Sequence, residues 1–299
     1  MSENQAIERL APPVGRVRAA LDTDTYNEID DQYALAYAVL GGSFDLEAVY
    51  AAPFHNDRSS GPEDGMEKSY DEIQRVLAKL EGRGKSLPGR VLKGSRRFLE
   101  AAGRPVESEA ARDLVERALG GTGPLYVLAI GAITNVASAL LMEPRIRDKA
   151  VVVWLGGQPS GWHTAFEFNL KQDLFASQTV FDCGVPLVHI PCKNVAEHLR
   201  VTVPELEHHI GGRNALCDYL VGITRDHMAR HRAQSKVIWD ISTVAWLRNA
   251  EWLPSHIVHS PLLTPSFTYS HDGSRHFIRQ AIDVRRDAIF ADLYEVLAG

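Results

Sequence analysis

The chain has 299 residues, 45% of them apolar, and a formal net charge of −6. That length and apolar share suffice for one large α/β core, and the mildly acidic balance argues against nucleic acid or an anionic membrane as the main partner. Cys183, Cys192 and Cys217 form no Cys-x-x-Cys pair, the N-terminus lacks an apolar signal core, and no apolar run nears the ~20 residues of a membrane helix. Together these features suggest a reduced, cytoplasmic protein.

A first strand is expected over residues 16–21. It runs into four aspartates within ten residues: Asp22, Asp24, Asp30 and Asp31. An apolar run over 34–40 follows, so the layout reads as strand, loop and helix (31–40). In such a unit the loop opens at the carboxyl end of a strand, where open α/β sheets place ligands. Crowded carboxylates repel one another and are costly to desolvate, and a divalent cation with oxygen ligands resolves both problems. Helix capping and loop solvation account for one or two such aspartates, but poorly for an Asp-x-Asp followed by Asp-Asp.

Further strands are expected over 46–52, 125–130, 151–155 and 187–190. Helices are expected over 65–80, 108–119, 134–142, 173–183, 215–230 and 240–249. This alternation predicts a single α/β domain over 1–299, an open and mostly parallel sheet with helices on both faces and a Rossmann-like core. A hairpin-like tail (257–263 and 276–284) and a last helix (287–297) close the chain. Three more constellations fall at strand-to-helix turns: Thr134-Asn135, Glu167-Phe168-Asn169 and Trp239-Asp240. A parallel sheet would bring them to the rim that holds the aspartates. Between 198 and 233 lie His198, His208, His209, His227 and His231; the last two, four apart, would share a helix face. Zinc on that pair is disfavoured, because no Glu stands beside His227 in a His-Glu-x-x-His arrangement.

With these residues in view, the chain resembles the nucleoside hydrolases, metal-dependent N-ribohydrolases of the inosine-uridine-preferring type. The resemblance runs in order through Asp22-x-Asp24, Asp30-Asp31, His55-Asn56, Gly131-x-x-Thr134-Asn135-Val136-Ala137, Leu155-Gly156-Gly157, Glu167-Phe168-Asn169, and Asp240 with Val244-Ala245-Trp246. It implies hydrolysis of a nucleoside or related riboside to ribose and a free base. It also implies a Ca²⁺ ion held by the side chains of Asp24, Asp31 and Asp240 and the backbone carbonyl of Thr134. Asp24 would double as the base that deprotonates water, Asp30, Asn56, Glu167 and Asn169 would clamp the ribose, and Asp22 would support the cluster from behind. A homodimer or homotetramer is the implied assembly.

The chain departs from the family pattern in three places. Five residues rather than three separate Asp-x-Asp from Asp-Asp, so the loop must bulge and Tyr26 or Asn27 could enter the pocket. Gly161 stands where an asparagine is common. Trp239 stands where a histidine often precedes the last aspartate; tryptophan can stack on a base but cannot protonate it. His227 and His231 are the candidate acids for the leaving group in its place. Two rival readings are a ribose- or nucleoside-binding protein without turnover, and a phosphatase of the haloacid dehalogenase type, which also uses Asp-x-Asp after a strand.

Overall fold

The computed structural model describes residues 3–81, 90–232 and 234–299. Its strands are β1 (Arg18–Thr23), β2 (Asp45–Ala51), β3 (Arg90–Lys93), β4 (Leu125–Ala129), β5 (Ala150–Leu155), β6 (Leu187–Ile190), β7 (Arg200–Val201), β8 (Lys236–Val237), β9 (Ser255–His259), β10 (Leu262–Leu263), β11 (Tyr269–Ser270) and β12 (Phe277–Ala281). Eight of them form one sheet in the order β3-β2-β1-β4-β5-β6-β12-β9. All neighbours pair in parallel except β12 with the edge strand β9. The tail therefore forms the expected hairpin-like pair, and β12 also extends the parallel sheet through β6. Every residue of β4, β5 and β6 is buried, as expected of parallel strands covered on both faces.

The helices are α1 (Glu3–Arg9), α2 (Asp31–Leu40), α3 (Pro62–Glu81), α4 (Glu109–Gly120), α5 (Thr134–Met142), α6 (Phe168–Gln172), α7 (Leu174–Asp182), α8 (Val203–Ile210), α9 (Ala215–Ala229), α10 (Ile241–Arg248) and α11 (Arg286–Ala298). Apolar residues of α2, α3, α8, α9, α10 and α11 pack with Ala19 and Leu21 on one side of the sheet. Those of α4, α5 and α7 pack with Ala20 on the other. The period-2 alternation along β1 thus feeds two cores. The helix expected over 173–183 begins one residue later, because the Asp173 side chain accepts the Ala176 N–H as an N-cap, at 2.9 Å. No helix among the described residues is long and apolar enough to cross a membrane.

Strand order decides where a ligand can sit. From β1 the chain steps outward to β2 and β3, then returns to the other side of β1 as β4, β5 and β6. The carboxyl ends of β1 and β4 therefore flank a topological switch point, the crevice in which doubly wound sheets bind ligands. The aspartate loop follows β1, and the turn from Ile130 to Ile133 follows β4.

Candidate active site

A cavity of about 340 Å³ opens at that crevice. Asp24 leaves the end of β1 and is fully buried. Asp30 and Asp240 occupy the N-cap positions of α2 and α10, yet neither side chain caps its helix. Ser108, Asp173, Thr202 and Asn214 do cap theirs. Capping therefore does not explain the aspartate cluster; the carboxylates are turned to another use. Asp30, Asp31 and Asp240, all buried, bring one oxygen each to within 4.8 Å of one another. At that spacing each like-charged pair costs roughly 3 kcal/mol in a partly screened interior.

The surroundings relieve little of this. Thr23 Oγ1 donates to Asp31 Oδ1 at 2.5 Å, and the Trp239 N–H donates to Asp30 Oδ2 at 3.2 Å. Neither oxygen of Asp24 has a hydrogen-bond donor. Burial, then the charges of Asp31 and Asp30, hold its carboxyl well above the usual range. Burial, then Asp30, pushes Asp31 up to about 7. Burial, then Asp30, Asp31 and Asp24, raises Asp240. A buried carboxylate without donors is a group awaiting a cation. An all-oxygen donor set of this charge fits a hard divalent ion.

Close backbone approach shapes the floor. A Cβ on Gly131 would lie 3.0 Å from the Asp24 carboxyl carbon, so only glycine lets the turn after β4 pack on that carboxylate. Asp22 does not line the cavity; its Oδ1 accepts from Asn135 Nδ2 at 2.7 Å, and Asn135 Oδ1 in turn accepts the Ser95 N–H at 2.7 Å. Asp22 thus braces the end of β1 against α5, the supporting place expected for it.

Asn56, Glu167, Asn169 and Trp239 all line the cavity with Asp24, Asp30, Asp31 and Asp240. Glu167 accepts the N–H groups of Gly157, Asn169 and Leu170 at 2.8, 3.0 and 3.1 Å. The Gly157 donor is presented by a backbone at φ +68°, where a Cβ would also meet the Tyr269 hydroxyl at 2.5 Å. Asn169 Nδ2 donates to the carbonyls of Ile130 and Leu155, at 3.1 and 3.0 Å, tying the ends of β4 and β5 together. Asn56 Nδ2 donates to Asn27 Oδ1 at 2.7 Å.

Three expected site residues lie elsewhere. Thr134 is absent from the cavity wall: its hydroxyl donates to Asp173 at 2.8 Å, and as the first residue of α5 its carbonyl points along the helix toward the next turn. The turn residue that does reach the cavity is Ile130. His227 and His231 line a second cavity of about 440 Å³, which shares only the Glu28 side of the loop with the first. Their rings stack at 4.2 Å, and His231 Nδ1 lies 2.6 Å from the His227 carbonyl. The expected shared helix face does not form, because α9 ends at Ala229 with Arg230 as its C-cap and His231 folds back past that end onto His227; neither histidine lines the carboxylate cavity.

The bulged loop delivers Asn27 and Glu28 to the cavity, while Tyr26 lines the second cavity under the Arg58 guanidinium, 4.3 Å from its ring centroid. Sequence reasoning missed Lys236, which is 8% exposed, pairs with Glu28 and lies 4.0 Å from Asp30 Oδ1. It also missed Gln158, Cys192 and Lys193 as wall residues. The Cys192 thiol is directed at Glu167. A lysine three residues before Trp239-Asp240 carried no motif, and its burial was the only signal that could have singled it out.

An open, mostly parallel sheet with a carboxylate-lined crevice at its switch point is a place where a divalent ion and a small polar ligand could be held together. Comparison with known proteins narrows this. The family model described as inosine-uridine preferring nucleoside hydrolase matches residues 19–285, and the chain belongs to that family, hydrolases of the N-glycosidic bond of nucleosides. A relative from Arabidopsis thaliana, named probable uridine nucleosidase 2, is 26% identical over 170 residues, 54% of this chain and 51% of its own length. That match spans about half of the relative. The pyrimidine-specific ribonucleoside hydrolase RihA of Salmonella paratyphi A is 23% identical over 74% of this chain and 77% of its own. Among solved structures, a plant nucleoside hydrolase superposes with a TM-score of 0.74 at 16% identity, covering 96% of this chain and all of that one. A purine-preferring ribonucleoside hydrolase from Gardnerella vaginalis gives 0.73 at 18% identity, with 94% and 98% covered. The mostly parallel sheet is shared with these structures. Family membership removes the phosphatase reading.

Proposed function

We propose that the switch-point cavity hydrolyses an N-riboside with Asp24 as the base for the attacking water, with one divalent ion, most simply Ca²⁺, held by Asp24, Asp31 and Asp240. The observation that carries this is Asp24 itself: fully buried, without a donor to either oxygen, and facing two further carboxylates. The ion would supply a template for water and ribose hydroxyls and would lower the water's pKa. A carbonyl ligand, first assigned to Thr134, fits Ile130 better.

The chain's own residues do the rest. Asp30, Asn56, Glu167 and Asn169 offer the oxygens and amides that a polyhydroxylated ring requires. The negative charge of Glu167 and Asp30 stabilises the oxocarbenium character that develops at the anomeric carbon as its bond to nitrogen breaks. Lys236 and the Trp239 N–H keep Asp30 in place. Half-buried Trp239 offers a ring face to the leaving base. Cytoplasmic residence and a homodimeric or homotetrameric assembly complete the reading, supported by family membership and by three cysteines that form no disulfide.

The test is release of ribose from a nucleoside by purified protein, with bound metal measured by mass spectrometry. One divalent ion per chain and activity lost on exhaustive chelation are expected. Full turnover after chelation, or ribose bound tightly and never released, would defeat the proposal; the second result would favour the binding-protein reading.

A further inference from the structure

Breaking the bond from ribose to a purine or to uracil leaves a nitrogen anion unless the base is protonated as it departs. Enzymes therefore gain ~10²–10⁴-fold from a placed acid. Among the described residues no histidine lines the cavity, and the position next to Asp240 is Trp239. The other groups that carry a proton there are already engaged. The Cys192 thiol is directed at Glu167, and burial raises its pKa. Lys193 pairs with Glu197 at 3.2 Å. The buried aspartates serve the cation. His227 and His231 stack on each other in the neighbouring cavity.

The wall chemistry favours positive charge instead. Among the described residues six carboxylates, those of Asp24, Glu28, Asp30, Asp31, Glu167 and Asp240, line the cavity against two ammonium groups, Lys193 in its wall and Lys236 behind Glu28 and Asp30. One divalent ion would leave this balance negative. Trp239 already has a cation near its ring, with Lys193 Nζ 5.9 Å from the centroid. That lysine is 44% exposed on a flexible stem and can be displaced by a flat cationic ring. An aromatic face is worth about 0.5–2 kcal/mol to such a cation.

We infer that the cavity selects N-ribosides of cationic, pyridinium-type bases, which leave without needing a proton. The inference rests on the hydrolase reading above and names its substrate class. The step balances without an acid. Water forms the new bond to the anomeric carbon and gives its proton to Asp24 and then to solvent. The electron pair of the breaking carbon–nitrogen bond returns to the ring, cancels its charge, and a neutral pyridine departs.

The experiment compares four substrates on the metal-loaded enzyme, each corrected for spontaneous hydrolysis: 3-carbamoylpyridinium riboside, inosine, uridine and p-nitrophenyl β-D-riboside. The pyridinium riboside is expected to exceed inosine and uridine in kcat/KM by at least ~10²-fold, the scale of a missing acid. Trp239→His, which installs a proton donor and removes the ring, is expected to narrow that gap by raising kcat for inosine and raising KM for the pyridinium riboside. Inosine or uridine cleaved as fast as the pyridinium riboside would overturn the inference. So would cleavage of p-nitrophenyl riboside without cleavage of the pyridinium riboside, with the hydrolase reading intact. If none of the four is cleaved, both fall.

Discussion

Two cavities meet at Glu28, and they treat buried carboxylates in opposite ways. In the second cavity Glu72, 2% exposed, accepts from Gln32 at 3.2 Å, from the Tyr219 hydroxyl and from the Arg75 guanidinium. Its charge is met within the chain. In the first cavity Asp24 has no donor, and Asp31 and Asp240 are raised by burial and then by their like-charged neighbours. Burial is nearly the same in both places. What separates a structural carboxylate from a ligand-seeking one is the account of its partners.

The sharpest way to break this contrast is Asp24→Asn. We expect kcat to fall at least ~10²-fold through loss of the base. In chelator, calorimetry should show the variant melting no lower than the parent, because a repelling charge is gone. A variant that turns over normally, or melts well below the parent in chelator, would show that Asp24 is an ordinary structural residue.

Metal addition probes the same cluster without mutation. Calcium at a hundred times its dissociation constant should stabilise the fold by ~2.7 kcal/mol. The pH dependence of the metal-free protein has a definite sign. Burial, then the charge of Asp30, pushes the folded Asp31 carboxyl up to about 7 from its ordinary 3.8. The folded chain therefore holds the extra proton between those values, and stability falls as pH rises through that window, by up to ~1.4 kcal/mol per pH unit for each such group. Denaturant unfolding across pH 4–7 reads this slope, which calcium should flatten. A slope of the opposite sign would contradict the burial of an unmet charge.

Glu72→Gln tests the satisfied side. It should lower stability by about 1–3 kcal/mol as Arg75 loses its charged partner, with kcat within about twofold of the parent. A large loss of activity would mean that the second cavity takes part in catalysis. The smallest effect is expected from His227→Ala and His231→Ala, each within about twofold for nucleosides and for p-nitrophenyl riboside alike. A selective loss on nucleosides would return these histidines to the leaving group.

Asp24, Asp30 and Asp31 stood out because capping and solvation account poorly for Asp-x-Asp followed by Asp-Asp, and Asp240 because its motif falls at another strand-to-helix turn; the structure brings all four to one cavity wall. The parallel sheet was legible because β4 and β5 are uninterrupted apolar runs and β1 and β6 hold short ones, broken only by polar residues at the ends of β1 and by His189 in β6. β3 was not: its four residues, Arg-Val-Leu-Lys, carry too little pattern to separate from a loop. α8 was missed because Pro204 reads as a breaker, although at the second helical position behind the Thr202 cap it is well tolerated. Thr134 was named by its motif but does not line the cavity, since a motif gives the order of residues but not which of them a turn brings to the wall. Lys236 and Cys192 reach the site through tertiary packing alone.

Asp30 and Asp31 stand at the head of α2, and Asp240 at the head of α10, about 210 residues later. On a ribosome adding ~5–20 residues per second, the acidic loop emerges ~10–40 s before its last partner. α2 is further tied to the end of the chain, where Tyr37 donates to Asp292 in α11 and Tyr33 donates to the Leu220 carbonyl in α9. The carboxylate cluster is thus completed by late synthesis, and the proposed ion, arriving then, would act as a final latch on a nearly finished domain. Stalled nascent chains ending before residue 240 should bind calcium far more weakly than the full chain; equal affinity would show that the early loop is a self-sufficient site.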